Sequence, residues 1–155
     1  MNTIQMQTKM KIISFLLIGF SLTHCSSKIK LEEANSLVDD IDYSVNVKNQ
    51  FDLNTLTAFQ WDTVFIFPPY TSLQKIKDLT QIEWEGLSKT KIDSEDEYCL
   101  LMFKKDDKFI KYLLHPRGKG DFSRLGIAVL NYKSAKFNVI RKEQTNSTWY
   151  YIQLN

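Results

Sequence analysis

Apolar residues are distributed along this chain in three different ways. Residues 12–23 read "IISFLLIGFSLT", a run of twelve without a charge. Residues 26–50, "SSKIKLEEANSLVDDIDYSVNVKNQ", are polar and alternate in charge, with scattered Leu, Val and Ile. From Phe51 onward, apolar clusters of strand or helix length recur between polar turns. The middle stretch reads as a tether, with a helical turn around Leu31, Ala34 and Leu37. The expected folded domain is 51–155.

Within that domain Phe51, Leu53, Leu56 and Phe59 follow spacings of two, three and three, with Asp52 placed to cap a short helix. "WDTVFIFPPY" then carries the β-forming run Val64–Phe67, a strand expected to be covered on both faces. Pro68 and Pro69 end it, because neither can donate to a sheet ladder. In "TSLQKIKDL", Thr71 and Gln74 stand at the capping-box spacing, and Leu73, Ile76 and Leu79 would share one helical face over the preceding strand.

The second half has the pattern of antiparallel strands. "EYCLLMF" and "KFIKYLL" flank the polar "KKDD", and "AKFNVIRK" and "TWYYIQLN" flank "EQTNS", two hairpins in sequence. Ile110, Tyr112 and Leu114 alternate with Phe109, Lys111 and Leu113, and Phe137 and Val139 with Asn138. The predicted architecture is α+β: a single, mainly antiparallel sheet with one solvated side and one or two helices packed on its other face.

The run at 12–23 is too short to cross a bilayer, which takes about 20 apolar residues, and follows Lys9 and Lys11 as a signal-peptide core follows its basic segment. Met10–Lys11 could itself open a complete leader. Leu22, Thr23 and Cys25 resemble a bacterial lipoprotein lipobox, departing from it at His24, where Gly, Ala or Ser is usual. That resemblance implies removal of residues 1–24 as a signal peptide, lipidation of Cys25, and an anchor and tether over 25–50. Two or more acyl chains on Cys25 would hold the protein stably at a membrane. The order "WDTVFIFPPYT" is similar to that of small bacterial envelope lipoproteins without an assigned activity, and the helix-plus-strands outline resembles lipoproteins of the outer-membrane assembly-factor kind. Ser26 in place of Asp after the cysteine points to the outer membrane, facing the periplasm or the exterior.

The formal charge is +2, from 20 basic and 18 acidic residues. Without Lys9 and Lys11 it falls to 18 against 18, which removes the cationic excess a nucleic-acid binder uses to neutralise phosphates. The expected partners are therefore the membrane, through Cys25, and an envelope protein. No nucleotide-binding, nucleophile-elbow or metal-binding sequence pattern is present, so neither a cofactor nor a metal is expected. After loss of His24, His115 is the single histidine, and Cys99, in "YCLLMF", lacks an intramolecular partner and reads as a buried thiol.

Chemistry-bearing residues are densest in "HPRGKGDFSRL". His115, Arg117, Lys119, Asp121, Ser123 and Arg124 occupy eleven positions with two glycines. Three readings stand. The loop is a solvated turn in which Asp121 caps the next turn, or it binds an anion or acidic ligand through backbone N–H groups and cations, or His115, Asp121 and Ser123 form a hydrolytic set. The third is disfavoured because such sets are assembled from separate elements. "SEDEY", residues 94–98, reads as a solvated turn, and Trp61 and Trp84 as core residues in preference to sugar-stacking platforms. The leading expectation is a non-enzymatic, membrane-anchored envelope lipoprotein; the alternative is an anion-binding or hydrolytic domain using His115–Arg124.

Overall fold

The computed structural model describes residues 29–155, so the expected leader at 1–24 and the expected lipidation site, Cys25, lie outside the described residues. In chain order the elements are β1 (Glu32–Glu33), α1 (Ser36–Val47), β2 (Gln50–Asp52), α2 (Leu53–Leu56), β3 (Thr63–Phe67), α3 (Leu73–Thr80), β4 (Tyr98–Lys105), β5 (Lys108–Pro116), β6 (Ala128–Asn131), β7 (Lys136–Glu143) and β8 (Thr148–Leu154). Short 3-10 turns occupy Leu87–Thr90, Arg117–Lys119 and Ser123–Leu125. The class is α+β.

The strands do not form one sheet. Five of them lie in the order β1-β5-β4-β3-β6, with β1 parallel to β5, and the other three form a separate sheet, β2-β7-β8. Alternation along the central strands explains why a second layer is needed. Val64, Ile66, Cys99, Leu101, Phe103 and Leu113 point to one face, and Phe65, Phe67, Leu100, Met102 and Leu114 to the other. Both sets are apolar, so neither face can be left to water.

The first face is covered by Leu37, Ile41 and Val45 of α1, Leu53 of α2, Phe122, and Phe137 and Ile152 of the smaller sheet. The second is covered by Ile76 of α3 and by Ile82, Trp84, Leu87 and Ile92. The helices thus sit on both faces, and the expected solvated side is absent. The molecule has three layers.

Residues 29–50 of the expected tether belong instead to the packed domain. Ile29 already bridges Trp84, Leu31 is buried, and α1 spans what looked like spacer. Its polar residues alternate with an apolar stripe at 37, 41 and 45, the 3–4 spacing of a helix packed on one side. The packed domain therefore begins about twenty residues before Phe51.

Several local expectations hold. Asp52 caps α2 by accepting from the Asn54 N–H at 3.0 Å, and the strands at 98–105 and 108–116 form a hairpin. Its two turn residues, Asp106 and Asp107, have φ of 46° and 62°, the left-handed pair a two-residue turn needs where Asn-Gly is more common. The Asp106 N–H donates to Asp62 Oδ2 at 2.8 Å, which helps hold this costly conformation.

Two expectations shift. Ser72, not Thr71, caps α3: its hydroxyl accepts from the Lys75 N–H at 3.2 Å, while Thr71 Oγ1 donates to the Pro68 carbonyl at 2.6 Å. In β5 an irregularity opposite Phe103 and Lys104 breaks the alternation, putting Phe109 on the side of Tyr112 and Leu114, and Ile110 on the side of Leu113.

Candidate functional site

The loop at 115–125 leaves the end of β5, passes beneath β8 and enters β6, so it stitches the two sheets together. The Asp121 N–H donates to the Tyr150 carbonyl at 2.8 Å, and the Ile152 N–H donates to the Asp121 carbonyl at 2.9 Å, which joins the loop to β8 as an added strand residue. Gly120 allows this approach. Its φ is +132°, and a Cβ there would lie 3.0 Å from Val45 Cγ2 and 3.5 Å from His115 Nε2.

Asp121 is fully buried, and its carboxylate accepts four hydrogen bonds. Arg117 donates from Nε to Oδ1 at 3.1 Å and from Nη2 to Oδ2 at 3.0 Å, Ser123 donates its backbone N–H at 2.9 Å, and Trp149 donates Nε1–H at 3.0 Å. Burial alone would push this carboxyl up. The Arg117, Ser123 and Trp149 hydrogen bonds outweigh it and hold the group below the usual carboxylate range. Asp121 is therefore charged at neutral pH and has no lone pair left for a reacting group. The Ser123 contact ties the carboxylate to the start of the next 3-10 turn, whose N-cap residue is Phe122 and has no side-chain cap, and the burial of Asp121 sets it apart from the expected solvated turn.

The loop's cations are engaged as well. Arg117 also donates from Nη1 to the Asp96 carbonyl at 2.8 Å and lies 5.7 Å from the Trp149 ring centre. Lys119 Nζ contacts Asp39 Oδ1 of α1 at 3.1 Å, and the Arg124 guanidinium stacks 3.5 Å from the ring centre of Tyr151. Gly118 faces open space. A concavity of about 360 Å³ lies beside Arg117, between Asp96, Tyr98, Pro116 and Trp149, but the guanidinium faces carboxylates there.

His115 does not join these groups. Its ring is fully buried at 5.3 Å from the ring centre of Phe122, and neither ring nitrogen makes a hydrogen bond of good geometry. Burial pushes its pKa down to about 4, while the Lys119 and Gly120 backbone pulls weakly the other way. At neutral pH the imidazole is uncharged.

Cys99 lies directly across the hairpin from His115. A two-residue turn with regular pairing would set Cys99 opposite Leu114; the irregularity near Phe103 moves the pairing by one. The pair nonetheless lacks the state nucleophilic chemistry needs. Burial, and then the Asp121 charge, push the thiol up to about 12, so neither thiolate nor imidazolium forms in the closed core. Cys99 is a free, buried thiol.

The structure thus brings Arg117 and Asp121 together, sends Lys119 to α1 and Arg124 to β8, and encloses His115 with Cys99. Trp149 and Asp96, which complete the Arg117–Asp121 network, carry no signal in the loop sequence because they come from β8 and from the segment before β4. Among the described residues no group of three His, Cys, Asp or Glu side chains could hold a metal ion, and no helix is long and apolar enough to cross a membrane. Trp61 and Trp84 are both buried, with Trp61 Nε1 donating to Thr57 Oγ1 at 3.0 Å and Trp84 packed 4.5 Å from the Tyr112 ring centre. No protein-family model, curated protein or solved structure matches this chain.

Proposed function

We propose that this chain is a bacterial envelope lipoprotein, held to a membrane by acyl chains on Cys25 and displaying a non-enzymatic α+β domain for protein interaction or envelope structure. The observation that carries the reading is the leader: Lys9 and Lys11, twelve uncharged residues ending in Leu22 and Thr23, then His24 and Cys25, four positions ahead of Ile29, the first bridged of the described residues. Its apolar core is the length of a signal segment and well short of a membrane span.

The loop that seemed richest in chemistry supports a structural role. Asp121 has its hydrogen-bonding capacity filled, the three loop cations each face a partner, and Cys99 and His115 are enclosed and neutral. An outer-membrane position, facing the periplasm or the exterior, belongs to the same proposal through Ser26.

Growth of a bacterial host expressing the full chain with radiolabelled palmitate tests it. The wild type should incorporate label and shed residues 1–24, and Cys25→Ala should do neither while its domain still folds. An unlabelled wild type overturns the anchoring.

A further inference from the structure

The distance from the anchor to the fold limits how the domain can sit. Only Ser26, Ser27 and Lys28 separate Cys25 from Ile29, which is bridged to Trp84. Four residue steps of extended chain span at most about 14 Å. A domain of this size is about 35 Å across, from a radius of gyration near 14 Å. The leash is therefore shorter than half the body it holds, and the surface at its attachment is kept toward whatever holds Cys25.

That surface has a definite character. Ile29 is 38% exposed, and beside its bridge to Trp84 lies a groove of about 520 Å³, bounded by Leu73 and Lys77 of α3, Glu83, Trp84 and the turn residues Leu87 and Ser88. Leu79, at the end of α3, is 37% exposed. Around the groove Lys77 Nζ and Glu83 Oε2 form a partly exposed ion pair at 3.3 Å, and Glu85 adds a second carboxylate to the lining, so one cation and two carboxylates border an otherwise largely apolar surface.

Resting on the lipid-anchored reading of Cys25, we propose that the face formed by Ile29, Trp84 and the groove between α3 and the Leu87–Thr90 turn lies against the zwitterionic headgroup layer of the membrane that carries the anchor. A headgroup layer some 5–7 Å deep on each side of the hydrocarbon leaves Ile29 in or just above it. Lys77 can exchange toward the phosphate of a headgroup and Glu83 toward its ammonium, while a lining with two carboxylates to one cation favours a headgroup that carries its own positive charge over an anionic one. Strong intrinsic affinity is not required, because a short tether makes the contact intramolecular and raises its effective concentration. The three-stranded sheet, across the five-stranded sheet from this groove, is left facing away from the bilayer and free for partners.

The test uses the acylated full chain in zwitterionic phospholipid vesicles containing a headgroup-attached nitroxide lipid. A fluorophore is placed at Ser88→Cys in the groove or at Lys142→Cys on β7; both positions are exposed, and the native Cys99 is buried. The Ser88 probe should lose most of its emission and the Lys142 probe keep it. Inserting about 15 Gly/Ser residues after Ser27, with an r.m.s. reach of about 20 Å, should remove the difference. Equal quenching at the two sites in palmitate-labelled protein with the natural linker overturns the proposal, as does selective quenching at Lys142. Absence of palmitate label instead overturns the anchoring on which it rests. Matching melting curves of the two labelled variants ensure that a difference reports position and not unfolding.

Discussion

Both faces of the five-stranded sheet are buried, and they are built on opposite principles. On the α3 face the covering side chains are almost wholly apolar, and the buried hydroxyls of Thr71, Thr80 and Thr90 are satisfied by backbone carbonyls three or four residues away. On the other face the interior holds a charged carboxylate with partners drawn from its own loop and from β8, a neutral imidazole without a hydrogen bond, and the unpartnered hydroxyl of Ser44. A helix can close over a sheet by hydrophobic burial alone. Joining two sheets through a loop requires the backbone of that loop to be held in place, and Asp121 with Arg117 supplies the hold.

The largest expected effect removes that hold. Asp121→Ala would leave Arg117 and Trp149 without their acceptor, and loss of one member of a buried ion pair costs about 3–5 kcal/mol. The lower end, about 3 kcal/mol, is expected because the Arg117 side chain keeps 23% exposure and can turn toward water. Urea unfolding monitored by Trp fluorescence measures it. A loss below about 1 kcal/mol, the worth of a surface pair, would mean that the sheets are joined by apolar packing alone.

The next effect separates the faces by pH. His115 has a folded pKa near 4 against an ordinary value of 6.5, so between these values the unfolded chain binds a proton that the folded chain does not. Its contribution is fully present above pH 6.5 and is lost as the pH falls toward 4. From pH 6.5 to 5 the expected loss is about 1.6 kcal/mol, at 1.36 kcal/mol per pKa unit with the unfolded imidazole half protonated at the start. Asp121, with its pKa lowered below the ordinary 3.8, contributes to acid loss only at lower pH. His115→Leu should flatten the unfolding free energy over the upper window, whereas Ile76→Val on the apolar face should lower stability equally at both pH values. A His115→Leu slope equal to wild type would assign the acid response elsewhere.

The smallest effect belongs to the apolar side. Ser72→Ala removes the cap of α3 and should cost about 1 kcal/mol, with no change in the pH slope. Thermal unfolding of the variant at pH 7 and pH 5 checks both halves of that expectation.

Much of the domain was legible because local rules agree with tertiary need. Asp52 as a cap, Val64–Phe67 as a strand covered on both faces, and the two hairpins all follow from propensity, alternation and turn chemistry, which act over a few residues. α1 was misjudged because its apolar stripe is diluted by Asp39, Asp40, Asp42 and Asn46, residues that a helix places on its exposed side but a linear reading takes for spacer. The candidate loop was legible as a dense set of polar residues, not as a closed one: its partners, Asp39, Asp96, Trp149 and Tyr151, lie 21 to 80 positions away along the chain.

What the chain determined by itself was the α+β class and the position of most strands, because propensity, alternation and turn chemistry depend on neighbours in sequence. The division of strands between two sheets, the enclosure of His115 opposite Cys99, and the conversion of a charged loop into a clasp were decided only by tertiary structure. Each depends on which distant residue arrives to cover a face or meet a charge, and desolvation acts on a group only once that arrival is complete.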